Sequence, residues 1–291
     1  MKFTFLSFLY SIFFLTIITV SGCDLIKPKA EVPAYISIDR FILITDSVKQ
    51  GSASHKITDA WVFVDDKLIG IYELPAKFPV IASGTQNVKI RAGIKFNGIV
   101  NDRIIYPFYH SFDTLISLNK LQSFSINPII KYEANAKFTY LENFEGQIIS
   151  LIKSIASDTT VQLIAPSNPA TYRTTHCGAG FLNTSGKKFD FISAQAYPFT
   201  KGINIILEMD YKCNQLFTIG LIASTKGNFE KEGIVTLNST EDKWKKIYVN
   251  LASFINVKSY ADNFTLFLRC VKEPATETSQ VYFDNIKIVN E

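Results

Sequence analysis

Short apolar runs, broken at close intervals by Gly, Pro, Asn and Asp, dominate the chain from Tyr35 to Ile288. Tyr35-Ile36-Ser37-Ile38-Asp39 alternates apolar and polar, and Val88-Lys89-Ile90-Arg91-Ala92 does so strictly. Ala60-Trp61-Val62-Phe63-Val64 is a β-branched and aromatic run stopped by Asp65-Asp66-Lys67; Leu68-Ile69-Gly70-Ile71-Tyr72 follows at hairpin distance, and Asn97-Gly98 is a tight-turn dipeptide. Side chains repeat about every two residues along a strand and about every 3.6 along a helix. The best helical window, 145–155, holds the longer period for only one or two turns. Turn signals roughly every 8–12 residues without a helical stripe predict an all-β chain built as sandwiches or barrels.

Composition narrows the function. The chain has 291 residues, of which 47% are hydrophobic and 19% charged, which excludes disorder and allows one or two domains with real cores. The net charge of +4 is not gathered in a basic cluster, so nucleic acid is excluded as an expected partner. His55, His110 and His176 stand singly, with no HExxH, no GxSxG elbow and no phosphate-binding glycine loop, so no enzyme activity is expected.

Apart from Lys2, residues Met1–Gly22 are uncharged, and Phe3–Val20 is an almost continuous apolar run followed by small residues, the pattern of a secretory signal. Val20-Ser21-Gly22-Cys23 resembles the lipobox of bacterial lipoproteins. The resemblance implies a lipoprotein signal peptide at 1–22, diacylglycerol and palmitate on Cys23, and a lipidated tether over 23–33. It implies an outer-membrane address, with the periplasmic face preferred to the cell surface because Asp24–Lys29 lacks an acidic run. Asp46-Ser47-Val48, Asp113-Thr114-Leu115 and Asp158-Thr159-Thr160 look like the O-glycosylation tripeptide of Bacteroidota envelope proteins, each expected in a turn.

A polar stretch near 131–137 separates two β-rich parts, 34–135 and 138–291. In the first, Val62-Phe63-Val64-Asp65 to Gly70, then Leu74-Pro75, then Gly84 to Ile90 resemble the immunoglobulin-like PEGA module of envelope proteins. In the second, Trp244 to Leu251 and the closing Val281-Tyr282-Phe283-Asp284-Asn285-Ile286-Lys287-Ile288 resemble the galactose-binding-like jelly roll of carbohydrate-binding modules. That resemblance implies a structural Ca²⁺ on Glu145 and Asp284, with Glu142 as the alternative acid. It also implies a non-catalytic glycan-binding role, for which Tyr172, Tyr197, Phe199 and Tyr260 are the loop aromatics able to stack on a sugar ring. Trp61 and Trp244 lie in alternating strands and are expected in the core, and Tyr106–His110 is read as a packed corner. Cys213 and Cys270 could pair in an oxidising compartment, or could join Cys177 as buried small apolar residues. The alternative function is a structural or accessory subunit of an outer-membrane assembly, secretion or uptake complex around a β-barrel.

Overall fold

Strand β1 (Ala34–Ile38) buries its first, third and fifth side chains, the period-2 alternation that its letters announce. The computed structural model describes residues 31–146, 148–171, 175–183, 185–274 and 277–291. The apolar leader and Cys23 lie outside the described residues.

The first body continues with β2 (Ile42–Ile44), β3 (Asp59–Val64), β4 (Lys67–Glu73), β5 (Ala76–Val80), β6 (Gly84–Lys95), β7 (Arg103–Ile105), β8 (Phe112–Leu118), β9 (Ser123–Ser125) and β10 (Ile129–Lys131). A sheet ordered β4-β3-β6-β7, with β8 also on β6, accompanies the small sheets β5-β1-β9 and β10-β2. The β3–β4 turn places Asp65 and Asp66 at φ 47° and 62°, and Asn97-Gly98 sits at 52° and 71°. These left-handed pairs suit short side chains and glycine and match the twist of a tight hairpin.

The second body comprises β11 (Lys137–Glu142), β12 (Leu151–Lys153), β13 (Gln162–Ile164), β14 (Cys177–Leu182), β15 (Lys188–Ser193), β16 (Ile205–Cys213), β17 (Phe217–Thr225), β18 (Asn228–Leu237), β19 (Lys245–Asn250), the short helix α1 (Ala252–Val257), β20 (Asn263–Val271) and β21 (Ser279–Asn290). They form a β-sandwich. One sheet runs β13-β14-β21-β16-β19 with β11 on β21, and the other runs β12-β15-β20-β17-β18. Phe189, Phe191, Leu207, Met209, Leu221, Val249, Leu266 and Ile288 fill the space between them. Fully burying a large apolar side chain contributes about 1.5–3 kcal/mol, so the sandwich has ample means to hold its sheets together.

Every residue of β16 is buried. A strand with one solvated face would alternate. Here the inner face meets the sandwich core, and the outer face meets the first body: Ile206, Tyr248 and Val289 belong to the first body's apolar cluster. Between these apolar contacts lies a charged seam. Glu208, fully buried, accepts hydrogen bonds from Tyr106 Oη at 2.5 Å and Tyr132 Oη at 2.8 Å, and Lys246 Nζ stands 3.4 Å away. Lys287 Nζ donates to Ser52 O at 2.7 Å, Ser54 Oγ donates to Asp210 at 2.7 Å, and the Lys56 amide donates to Tyr248 Oη at 3.0 Å. The Asn97-Gly98 turn docks on β19, with Asn97 N donating to Tyr248 O at 2.8 Å and Asn97 Oδ1 accepting from Asn250 N at 3.0 Å. The Tyr106–His110 corner is therefore part of the joint, with Tyr106, Phe108 and Tyr109 buried.

Burial alone would push the Glu208 carboxyl up, but the Lys246 and Lys287 charges and the two tyrosine hydroxyls reverse the sign and hold it below its usual range. Burial, reinforced by that carboxylate, pushes Tyr106, Tyr109, Tyr132 and Tyr248 well above the ordinary phenol value, so all four keep their donor protons.

The 145–155 window, which holds helical spacing for only a turn or two, forms the short β12 and flanking loops, with Leu151 buried and Ile148, Ile152 and Ile155 exposed. Cys213 and Cys270 are not joined to each other, and they and Cys177 are all buried, the second of the two readings that the sequence left open. The Cys213 thiol donates to Asn238 O and the Cys270 thiol to Leu216 O, each at 3.4 Å. Thr114 lies within β8, paired with Val88, where a turn was expected.

Replacing Glu208 by Gln removes the larger of the two buried negative charges acting on Lys287 and leaves Lys246 with Asp210, 3.9 Å away. Urea unfolding at pH 7 should show a loss on the order of 3 kcal/mol. A carboxyl with a depressed folded-state pKa gives stability above its unfolded value and loses it as pH falls through the folded value. The acid limb of the stability curve should therefore be shallower in Glu208→Gln.

Candidate functional site

The first body covers the middle of one outer face of the sandwich, around β16, β19 and β21, whereas it leaves the outer face of β12-β15-β20-β17-β18 open to solvent. Asp190 on β15 is 1% exposed, and both Lys231 Nζ on β18 and Arg269 on β20 converge on it, Arg269 at 2.9 Å. Beneath them Phe267 lies flat, with Lys231 Nζ 4.3 Å from its ring centroid. The ring fits because Gly220 is under it: a Cβ there would stand 2.5 Å from Phe267 Cζ. Thr218, on the same face, bonds Thr236 across the hairpin at 2.9 Å. At the margin the Lys226-Gly227 turn, at φ 46° and 89°, opens β18 with Phe229, whose ring is 72% exposed. Strand alternation puts Phe229 and Lys231 on this open face and Glu230 on the other side of the edge strand. There Tyr260 Oη donates to Glu230 at 2.6 Å and Lys258 Nζ pairs with it at 2.8 Å.

The four loop aromatics meet different fates. Tyr260 is exposed and held beside Glu230 at the rim. Tyr197 is half-buried against Tyr140 and Phe199, and Phe199 itself is only 8% exposed, so neither presents a stacking surface. Tyr172 lies outside the described residues. Phe229 escaped the sequence reading, although a lone ring inside Asn228-Phe229-Glu230-Lys231-Glu232 has no apolar partners at strand spacing and could have been noticed. Trp61 and Trp244 are both half-buried rather than core residues. Trp244 Nε1 donates to Ala170 O at 3.0 Å.

Glu145 and Asp284 do meet, lining one cavity of about 200 Å³ with Ser47, Ser52, Asn143, Thr175 and Asn285. Two local devices put them there. Phe144 takes a left-handed φ of 58°, its amide held by Glu142 and its ring seated where Gly178 has no Cβ, which turns Glu145 outward. On β21, Asn285 at φ 51° makes the bulge opposite β16, between Asp284 facing Asp210 and Lys287 facing Glu208. Glu142 does not line the cavity; its carboxylate is committed to the Phe144 and Ser150 amides and to Ser150 Oγ.

Burial pushes the Asp284 carboxyl up to about 8, and the charges of Asp210 and Glu145 add to the effect against hydrogen bonds from Asn285 and Thr175. An all-oxygen corner with an uncompensated buried carboxylate fits a hard divalent cation. Among the described residues no group of three or more His, Cys, Asp and Glu gathers at metal-binding distance, so hydroxyl, amide or carbonyl oxygens would complete the ligand set. Glu145 also receives the His176 amide at 2.6 Å and Nδ1 at 3.0 Å.

No protein-family model and no curated protein matches the sequence. Several solved structures share part of its shape. TmCBM61 in complex with β-1,4-galactotriose is 14% identical, over 48% of this chain and 87% of its own, with a TM-score of 0.32. The CBM22-1–CBM22-2 tandem domain of Paenibacillus barcinonensis Xyn10C is 11% identical over 80% of this chain and 91% of its own, at 0.37. A cyclase from Fischerella sp. TAU is 12% identical over 54% and 98%, also at 0.37. These are β-structures in binding modules and in an enzyme alike, and likeness at these scores assigns no ligand or reaction to this chain.

A carboxyl with a raised folded-state pKa binds its proton more tightly folded than unfolded, so stability falls as pH rises from about 4 to about 8. In chelator, Asp284→Asn should stabilise the protein at pH 8 by on the order of 2 kcal/mol and leave it unchanged at pH 4. Urea titrations at the two pH values check this, and Ca²⁺ added to the wild type should close the gap at pH 8.

Proposed function

We propose that this chain is a non-catalytic, lipid-anchored glycan-binding protein of the outer membrane. The observation that carries the reading is the open outer face of the second body's sheet. It offers an exposed ring, Phe229, at one end, with Lys231 two residues along on the same side of β18 and with Arg269 and Thr218 toward the other end of the same face. A pyranose presents an apolar CH face and a rim of hydroxyls, which is the complement of such a surface. The Val20–Cys23 lipobox resemblance supports an anchor of diacylglycerol and palmitate at Cys23, with 23–33 as the tether and the periplasmic side as the preferred face. No helix among the described residues is long and apolar enough to cross a membrane. The first body then acts as an immunoglobulin-like spacer, and Ca²⁺ at Glu145 and Asp284 is a structural ion holding the corner beside the joint.

A second reading, an accessory subunit of an outer-membrane β-barrel complex, draws on one observation. Ile148, Ile152 and Ile155 expose apolar surface on a single segment, with Ile155 fully bare.

Affinity electrophoresis of the full chain in detergent against a panel of soluble polysaccharides tests the first reading. A retarding polysaccharide should be found, and Phe229→Ala should weaken it about tenfold without a change in melting temperature. Retardation that Phe229→Ala leaves intact, or none with any polysaccharide while a β-barrel co-purifies, would favour the second reading. For the anchor, Cys23→Ala should abolish metabolic labelling with palmitate and partition into the aqueous phase of a detergent phase separation.

A further inference from the structure

Where the two bodies meet, beyond the charged seam, a cleft of about 570 Å³ opens to solvent, within the ~300–1,000 Å³ range that small ligands fill. One wall comes from the first body (His55, Lys56, Lys95, Asn97), the other from the strand ends of the second (Thr236, Asn238, Trp244, Lys245). Phe229 lies at the far end of β18, roughly 20 Å along the strand from Thr236, so the cleft is a place apart from the open sheet face.

Its chemistry is of one kind. Four lysines line it against a single carboxylate, Asp210. Lys95 is paired with Glu73 at 3.3 Å, and Lys246 is held between Glu208 and Asp210. Lys56 and Lys245, one from each body and both exposed, form no ion pair among the described residues. Trp244, half-buried with its ring fixed by the Ala170 carbonyl, supplies a flat apolar flank. Asp210, 1% exposed, spends Oδ1 on Ser54, while Oδ2, 3.9 Å from the Lys246 ammonium, is a buried acceptor with no hydrogen-bond partner among the described residues. A buried acceptor left so is costly unless something donates to it.

We propose that this interbody cleft is a binding site for an anionic saccharide, a pyranoside carrying a carboxylate or a sulfate. The apolar ring face packs on Trp244, the acid group sits between Lys56 and Lys245, and a sugar hydroxyl donates to Asp210 Oδ2. The site goes beyond the Phe229 face and does not depend on it. Neither body has it alone, which gives the rigid joint a purpose besides support: the Asn97-Gly98 turn that clamps β19 also brings one wall to the other.

The test is calorimetric titration of the full chain in detergent with three oligosaccharides of equal length: oligogalacturonate, sulfated oligogalactose and neutral oligogalactose. A charged oligomer should bind at least tenfold more tightly than the neutral one, with an affinity that falls as salt is raised. The double variant Lys56→Ala/Lys245→Ala should lose that tenfold preference, while Phe229→Ala keeps it. Lys49→Ala/Lys120→Ala, which removes the same charge from exposed sites elsewhere, should also keep it. Whichever charged oligomer binds identifies the acid group. Equal binding of charged and neutral oligomers, no binding of either charged oligomer at millimolar concentration, or equal loss in the two double variants would overturn the proposal. Loss of polysaccharide retardation in Phe229→Ala reports only on the sheet face, so the two readings fail separately.

Discussion

A carboxylate buried between two β-structures organises this molecule. Glu208 is without solvent contact, and its hydrogen-bond donors, Tyr106 and Tyr132, come from the first body, while Lys246 stands beside it from its own sheet. A buried ion adds little net stability, since desolvation offsets most of the attraction. What it does is penalise any arrangement that leaves it unpaired. The two bodies can slide or rotate only by stranding Glu208 and the lysines, so the orientation is selected by the cost of the alternatives. Four tyrosines with protons held firmly by burial complete the seam without adding charge.

From that joint follows which surfaces remain for ligands. Around β16, β19 and β21 the outer face of the six-stranded sheet is consumed, which is why β16 is buried at every position. The other sheet keeps its outer face, with Phe229 at its margin, and the edges of the joint leave the lysine-lined cleft. Asp210 is the hinge of the electrostatics: it belongs to the cleft wall, faces Asp284 across β16 and β21, and helps hold that carboxyl proton-bound to about pH 8. One bulge at Asn285 separates Asp284, which lines the cavity shared with Glu145, from Lys287, aimed at the seam. Asn suits that position because its short polar side chain tolerates a left-handed backbone.

How far the letters carried depends on whether a feature is local. Alternation at 34–38 and 88–92, and the turns at Asp65-Asp66 and Asn97-Gly98, were legible because a pleat and a turn are set by neighbours in sequence. Glu145 and Asp284 could be paired from the closing-strand pattern and do share a cavity. The stripe at 145–155 was too short to form a helix of its own, and the segment makes β12 and loops. Phe199 and Tyr260 looked alike as loop aromatics, yet one is under the core and the other at the rim. Cys213 and Cys270 lie on strands of different sheets and spend their thiols on nearby carbonyls. No spacing between two cysteines foretells that.

By itself the sequence determined a strand-built chain with turns at fixed places, because side-chain periodicity and backbone φ are decided residue by residue. It also carried the lipobox resemblance at Cys23, a motif read by contact with a few consecutive residues. The tertiary structure alone decided which sheet face stays open, that Glu208 finds tyrosines more than 70 residues away, and that Lys56 and Lys245 face one cleft. Those outcomes depend on how two finished bodies dock, and docking is governed by the desolvation of groups that have no meaning as partners until the fold has brought them together.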